Sequence, residues 1–291
     1  MLRTARRLDA ALAGQVLRRC DLRWPSLATA DLTGRTVLGV VSAGKHLLLR
    51  VDGDPALTLH SHLRMEGSWR VQPADRPVPS NPGVRAVIGT DRWTAVGLRL
   101  GLLELLRTEA EHTVVGHLGP DLLDPELDHA AAAARLAAGP ERAVGEALLD
   151  PRVVAGVGTM FMAESLFVLG VTPWTPVREV EASHGTRKVV DLAVRMLSAN
   201  VDRAVQSTTG DLRPGEEVYV HARSGRPCRR CGTPVRVAPL GPAPQDRTAF
   251  YCPRCQHGPT PTDDGRPQSP LGASRGSPNR RRRGYQAYRR R

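Results

Sequence analysis

The sequence predicts an α+β chain: an N-terminal antiparallel β-sandwich with flanking helices, a helical middle domain and a small cysteine-bound hairpin near the C-terminus. Three observations predict it. Short apolar or alternating runs, separated by Gly, Asp and Pro, dominate from Val16 to about Arg107. Beyond Pro120 the composition shifts to Ala- and Leu-rich segments. Two C-x-x-C pairs follow, Cys228 with Cys231 and Cys252 with Cys255. The expected domains span 1–118, 119–215 and 216–256, with a disordered Arg-rich tail over 257–291.

In chain order, the start reads as an amphipathic helix with Leu8, Ala11 and Leu12 facing a core; Asp9 breaks the apolar stretch, so it is no signal peptide. Strands are predicted at Val37–Val41, Leu47–Val51, Leu57–His62 and Ser68–Val71. Val84–Gly89 and Trp93–Leu98 form a hairpin across Thr90-Asp91. Helices are predicted over Asp124–Ala138, Glu141–Leu149, Thr159–Leu169 and His184–Val205. Pro234–Val237 and Thr248–Tyr251 pair between the cysteines, with Arg236 and Arg247 projecting.

A chain of 291 residues that is 41% hydrophobic can bury a real core, and its net charge of +12 points to an anionic partner such as nucleic acid. From Gln256 onward nine Arg face Asp263 and Asp264, a net of +7, so the charge is partly concentrated in the tail. That tail either binds DNA or keeps the chain solvated. No apolar run reaches the roughly 20 residues of a membrane span. Cys20 reads as a small buried hydrophobe.

The cysteine spacing carries the sharpest chemistry. C-x2-C, twenty residues, then C-x2-C is the zinc-ribbon pattern, in which four thiolates close a tetrahedral Zn²⁺ site and leave it structural. The hairpin either braces the fold or touches phosphates through its arginines. Gly156-Val157-Gly158-Thr159 opens a helix, so its N–H groups offer an anion site, though an ordinary helical hairpin has the same pattern. Lys45, after Ser42-Ala43-Gly44, reaches a phosphate, acts as an acid, or is a solvated surface charge. His60 and His62, two apart on a strand, could ligate a metal; with no third ligand nearby, His62 reads as a phosphate partner. Met65 is core by default.

Together these residues resemble the formamidopyrimidine-DNA glycosylase and endonuclease VIII family. The matching motifs are Arg6-Arg7-Leu8, Gly44-Lys45-His46-Leu47, His62-Leu63-Arg64-Met65-Glu66-Gly67, Leu118-Gly119-Pro120-Asp121 and Val154-Ala155-Gly156-Val157-Gly158. Glu164-Ser165-Leu166-Phe167, Gly170-Val171-Thr172-Pro173, Gly225-Arg226-Pro227-Cys228, Arg247-Thr248 and Phe250 to Gln256 follow. The wording around His62 and Trp69 resembles most closely the actinobacterial endonuclease VIII branch.

The resemblance implies a helix–two-turn–helix domain between the sandwich and a zinc finger, and a monomer active on double-stranded DNA with oxidised bases or abasic sites. The setting it implies is bacterial, cytoplasmic and nucleoid-associated. Carried over, Lys45 is the β-elimination acid and a phosphate contact. His62, Arg64, Gly158 and Thr159 are DNA contacts, and Arg247 is the finger's catalytic phosphate grip. Met65 fills the gap left by a flipped nucleotide. Thr159 stands where the family has Asn, which removes an amide donor but leaves the backbone N–H groups.

Family members begin Met-Pro-Glu-Gly, and the exposed proline amine attacks the sugar C1′. This sequence begins Met1-Leu2-Arg3-Thr4. Either translation starts six residues upstream, the preferred explanation because the other matching residues are intact, or the chain binds DNA without catalysis.

Overall fold

The computed structural model describes residues 1–64, 66–261 and 268. Met65 and most of the Arg-rich tail lie outside the described residues.

Helix α1, Leu2–Leu12, buries Ala5, Leu8, Ala11 and Leu12, the i, i+3, i+4 stripe that the sequence presents. Eight strands follow: β1 (Arg19–Leu22), β2 (Val37–Ala43), β3 (His46–Val51), β4 (Leu57–His62), β5 (Ser68–Pro73), β6 (Val84–Gly89), β7 (Trp93–Leu98) and β8 (Leu102–Arg107). They form two four-stranded antiparallel sheets, ordered β1-β6-β7-β5 and β2-β3-β4-β8. Leu47, Leu49, Leu59 and Leu103 from one sheet pack with Ala86, Ile88 and Ala95 from the other, so the two apolar faces close on each other as a sandwich. The β6–β7 hairpin turns at Thr90, whose hydroxyl accepts the N–H of Trp93 at 3.0 Å.

The short helix α2 (His112–Val115) leads into the helical domain of α3 (His129–Ala137), α4 (Val144–Leu149), α5 (Thr159–Leu169), α6 (Val177–Ser183) and α7 (Thr186–Ser198). Its core is Leu136, Leu148, Met162, Leu166, Val189 and Ala193. Helix α3 starts later than the Asp124 predicted. Asp124 accepts the N–H of Glu126 in a turn, and Asp128 caps the helix by accepting from Ala130 and Ala131. Helix α7 stops at Ser198 rather than Val205, because Asn200 turns its amide back on Met196 O and binds Ser207.

Last come β9 (Arg236–Leu240) and β10 (Arg247–Tyr251), an antiparallel hairpin with Arg247 opposite Leu240 and Tyr251 opposite Arg236. Glu164, fully buried in α5, accepts the N–H groups of Tyr219, Val220 and His221 at 2.7–2.8 Å and so ties the segment leading into the hairpin to the helical core. His257 and Pro259, in the stretch assigned to the tail, are hydrogen-bonded to Gly170 and Thr172.

Candidate functional site

The β2–β3 hairpin is closed by Gly44 and Lys45, with Gly44 at φ +55°, a conformation that glycine adopts without strain. Its tip docks on the helical domain. Gly44 N–H donates to Asp121 at 2.7 Å, and the other Asp121 oxygen accepts from Leu123 at 3.0 Å. A Cβ on Gly44 would meet that of Ala155 at 3.1 Å, so the tip sits against the glycine turn that starts α5.

This docking carries Lys45 to the helix start. Its Nζ donates to Val157 O at 2.5 Å and lies beside Gly158, the N-cap of α5. Gly156, at φ +99°, bends the chain so that α5 opens there, with Thr159 as its first residue. Lys45 is exposed to solvent but walled by protein, and that desolvation, then the Arg247 guanidinium, lowers its pKa. Arg247, at the exposed start of β10, therefore faces the same place from the cysteine-bound hairpin.

His62, at the end of β4, joins from the sandwich. Its pKa is lowered by burial, then by Lys45, Arg64 and His60. Its Nδ1 accepts the Arg64 N–H at 2.9 Å, so the neutral ring carries its proton on Nε2 as an outward donor. Arg64 is exposed, held at φ 51°, with its side chain across Gly101. Among the described residues Lys45, His62, Arg64 and Arg247 make no ion pair with a carboxylate. Cations, an imidazole donor and a helix N-terminus thus converge where an anion would satisfy all of them. The Met1 α-amine faces this place too: burial lowers its pKa, with Asp121 raising it and Lys45 lowering it.

The four cysteine Sγ atoms lie within 4.8 Å of one another. Cys228 and Cys255 are 3.9 Å apart and Cys231 and Cys252 3.5 Å, where a tetrahedral ion with bonds of about 2.3 Å sets sulfurs about 3.8 Å apart. The set fits a four-coordinate metal. The hydrogen bond from Thr233 helps bring the Cys231 thiol down to about 6, whereas burial pushes Cys252 up to about 11. A bound dication would hold both as thiolates.

Two models of known domains match this sequence: the formamidopyrimidine-DNA glycosylase N-terminal domain over residues 2–100 and the H2TH domain of the same glycosylase over 118–211. The chain belongs to the formamidopyrimidine-DNA glycosylase family. Within that family it is 52% identical to "Probable endonuclease 8 2" of Streptomyces coelicolor, covering 90% of this chain and 94% of that protein. It is 42% identical to "DNA-(apurinic or apyrimidinic site) lyase Nei2" of Mycolicibacterium smegmatis, over 87% and 95%. The glycosylase fold recurs in Lactococcus lactis Fpg bound to DNA with an abasic site, at TM-score 0.71 and 22% identity, over 88% of this chain and 97% of that one. No helix of the described residues is long and apolar enough to cross a membrane.

Of the residues singled out in the sequence, the family fold brings Lys45, His62, Gly158, Thr159 and Arg247 to one place, with Arg64 on its rim. The reading of Met65 falls outside the described residues. Sequence reasoning gave Asp121 no role, although it stands in a quoted motif. It weighed His60 only as a metal ligand beside His62 and left His46 and Glu104 unassigned. Glu104 lies in an apolar run without alternation, so its strand, and the face it shares with His60, could not be read locally.

Proposed function

We propose that the chain is a DNA glycosylase with apurinic/apyrimidinic lyase activity that removes oxidised bases, pyrimidines above all, from duplex DNA. One observation carries this reading: Lys45 and His62 of the sandwich, the N-terminus of α5 and Arg247 of the hairpin converge from three parts of the chain on one anion-binding floor. Family membership and the names of the relatives support it.

In this reading the amine that the family resemblance implies attacks the sugar C1′, the base leaves, and a β-elimination cuts the strand. Lys45 holds the phosphate and supplies a proton. Its walled position favours the neutral amine at a lower pH than an ordinary lysine, so its ammonium gives up a proton more readily. His62 donates Nε2–H to a phosphate, the α5 N–H groups receive another, and Arg247 grips the phosphate flanking the lesion. Thr159 offers a hydroxyl and its backbone there. One structural zinc on Cys228, Cys231, Cys252 and Cys255 would fix the hairpin and so the position of Arg247. The domain bounds 1–118, 119–215 and 216–256 are part of the same proposal.

The test is strand cleavage of a duplex carrying one oxidised pyrimidine or one abasic site. Cutting at the lesion, absent from the intact duplex, is the expected result. Selective binding without cutting would instead make the chain a binder of damaged DNA.

A further inference from the structure

The outer face of the second sheet holds a hydrogen-bonded chain that the mechanism above leaves unused. The register sets His46 opposite His62 and His60 opposite Glu104. His60 Nδ1 lies 2.7 Å from Glu104 Oε1, and His60 Nε2 lies 2.7 Å from His46 Nδ1. His60, the middle member, is 1% exposed and Glu104 40%, so the centre of the chain is sealed by protein while its carboxylate end reaches water. The His46 ring lies nearly parallel to that of His60, with centroids 4.9 Å apart, and meets His62 and His117 edge-on.

Hydrogen-bond logic fixes the protons. A carboxylate only accepts, so His60 carries its proton on Nδ1 and turns a lone pair at Nε2 toward His46. His46 then donates from Nδ1 and is left with a bare Nε2, which has no hydrogen-bond partner among the described residues. A phosphate arriving beside His62 needs a donor from its neighbour, not a lone pair. A metal between the two rings is excluded by distance. Nitrogens ligating one zinc at about 2.0–2.1 Å stand more than 3 Å apart, and these are 2.7 Å apart.

We propose that His46 is a further phosphate ligand of this site, and that His60 and Glu104 are positioning residues that turn it into a donor when one proton is taken up. The proposal rests on the DNA-lyase reading. A proton binds His46 Nε2. The Nδ1 proton of His46 passes to His60 Nε2. His60 is left as an imidazolium, with one N–H on the Glu104 carboxylate and the other on His46 Nδ1, and His46 is neutral with a donor at Nε2. The positive charge is stored beside Glu104 rather than on the ring that meets the phosphate.

The surrounding charges favour this order. Burial, then the imidazoles of His60, His62 and His117, press His46 down to about 4, so before DNA binds it is neutral. Lys45 and Arg64 lie on the His62 side. Glu111, held by Arg50 and Thr58, acts on the His60 side. A bound phosphate adds the anion that draws the proton in.

Calorimetry of the full chain with a duplex holding a stable abasic-site analogue tests this. Runs at about pH 6.5 in two buffers of different ionisation enthalpy count the protons taken up on binding. Glu104→Gln keeps an acceptor for His60 but lacks the charge that holds an imidazolium, and should lose most of one proton of uptake. His46→Gln should lose the same increment. Wild-type affinity should fall by up to about tenfold per pH unit as pH rises through the linked range, and the Glu104→Gln profile should be flatter. Equal uptake in all three proteins overturns the proposal while their DNA binding keeps the lyase reading standing. Absence of binding by the wild type removes both.

Discussion

Lys45 Nζ donates to the carbonyl of Val157 at 2.5 Å, so the cation of the β2–β3 hairpin and the N-terminus of α5 share one seat. A lysine in that position is already desolvated, and its ammonium is lost at a lower pH than usual. The sign follows directly. The charged form exists below the lowered pKa and disappears as pH rises through it, so DNA affinity should decline on the alkaline side before ordinary lysines titrate. Binding titrations across that range should show the decline in the wild type and a flat response in Lys45→Met.

Arg247 reaches the same floor from the hairpin and is not tied to a carboxylate among the described residues. Arg247→Ala should weaken binding to lesion-containing duplex by about 1–3 kcal/mol. The slope of log affinity against log salt should also shrink by about one ion. An unchanged slope would show that Arg247 touches no phosphate.

Buried Glu164 accepts three backbone N–H groups, from Tyr219, Val220 and His221. Glu164→Gln removes the charge and turns one acceptor into a donor facing N–H. Denaturant melts should register a loss of about 1.5–3 kcal/mol, the scale of hydrogen bonds to a charged group. Wild-type stability in the variant would mean that the segment is held by other contacts.

The cysteine cluster should hold zinc, and the hairpin should depend on it. Metal analysis of the purified chain should give one zinc per molecule, falling in Cys252→Ser. Chelation should abolish specific DNA binding through loss of the hairpin that places Arg247. Lesion binding that survives complete zinc removal would exclude the hairpin from the interface.

How much of this was legible depended on the range of the signal. Strands β4, β6 and β7 begin and end where predicted because turn residues bound each short run, although their burial is nearly continuous and not alternating. Helix α5 was equally plain between Gly158 and Gly170. The start of α3 was misplaced because the cap at Asp128, not the Ala content, decides it. Helix α6 was not read at all: seven residues between Pro176 and His184 are too few for a period to declare itself. Lys45, His62 and Arg247 were each singled out locally, by a glycine turn, a strand end and a hairpin between cysteines, whereas their convergence and specific roles came only with the family resemblance. The Glu104–His60–His46 chain was invisible because its members meet across three strands.

Trapping of the covalent intermediate tests the central claim most directly. A chain carrying Met-Pro-Glu-Gly and two further residues ahead of Met1 supplies the proline amine that the family resemblance implies. Incubated with abasic duplex and borohydride, it should form a protein–DNA adduct that maps to that proline. The same chain beginning at Met1 should trap far less, even though its amine faces Lys45 and Asp121. No adduct from either chain, or equal trapping by both, would contradict the account.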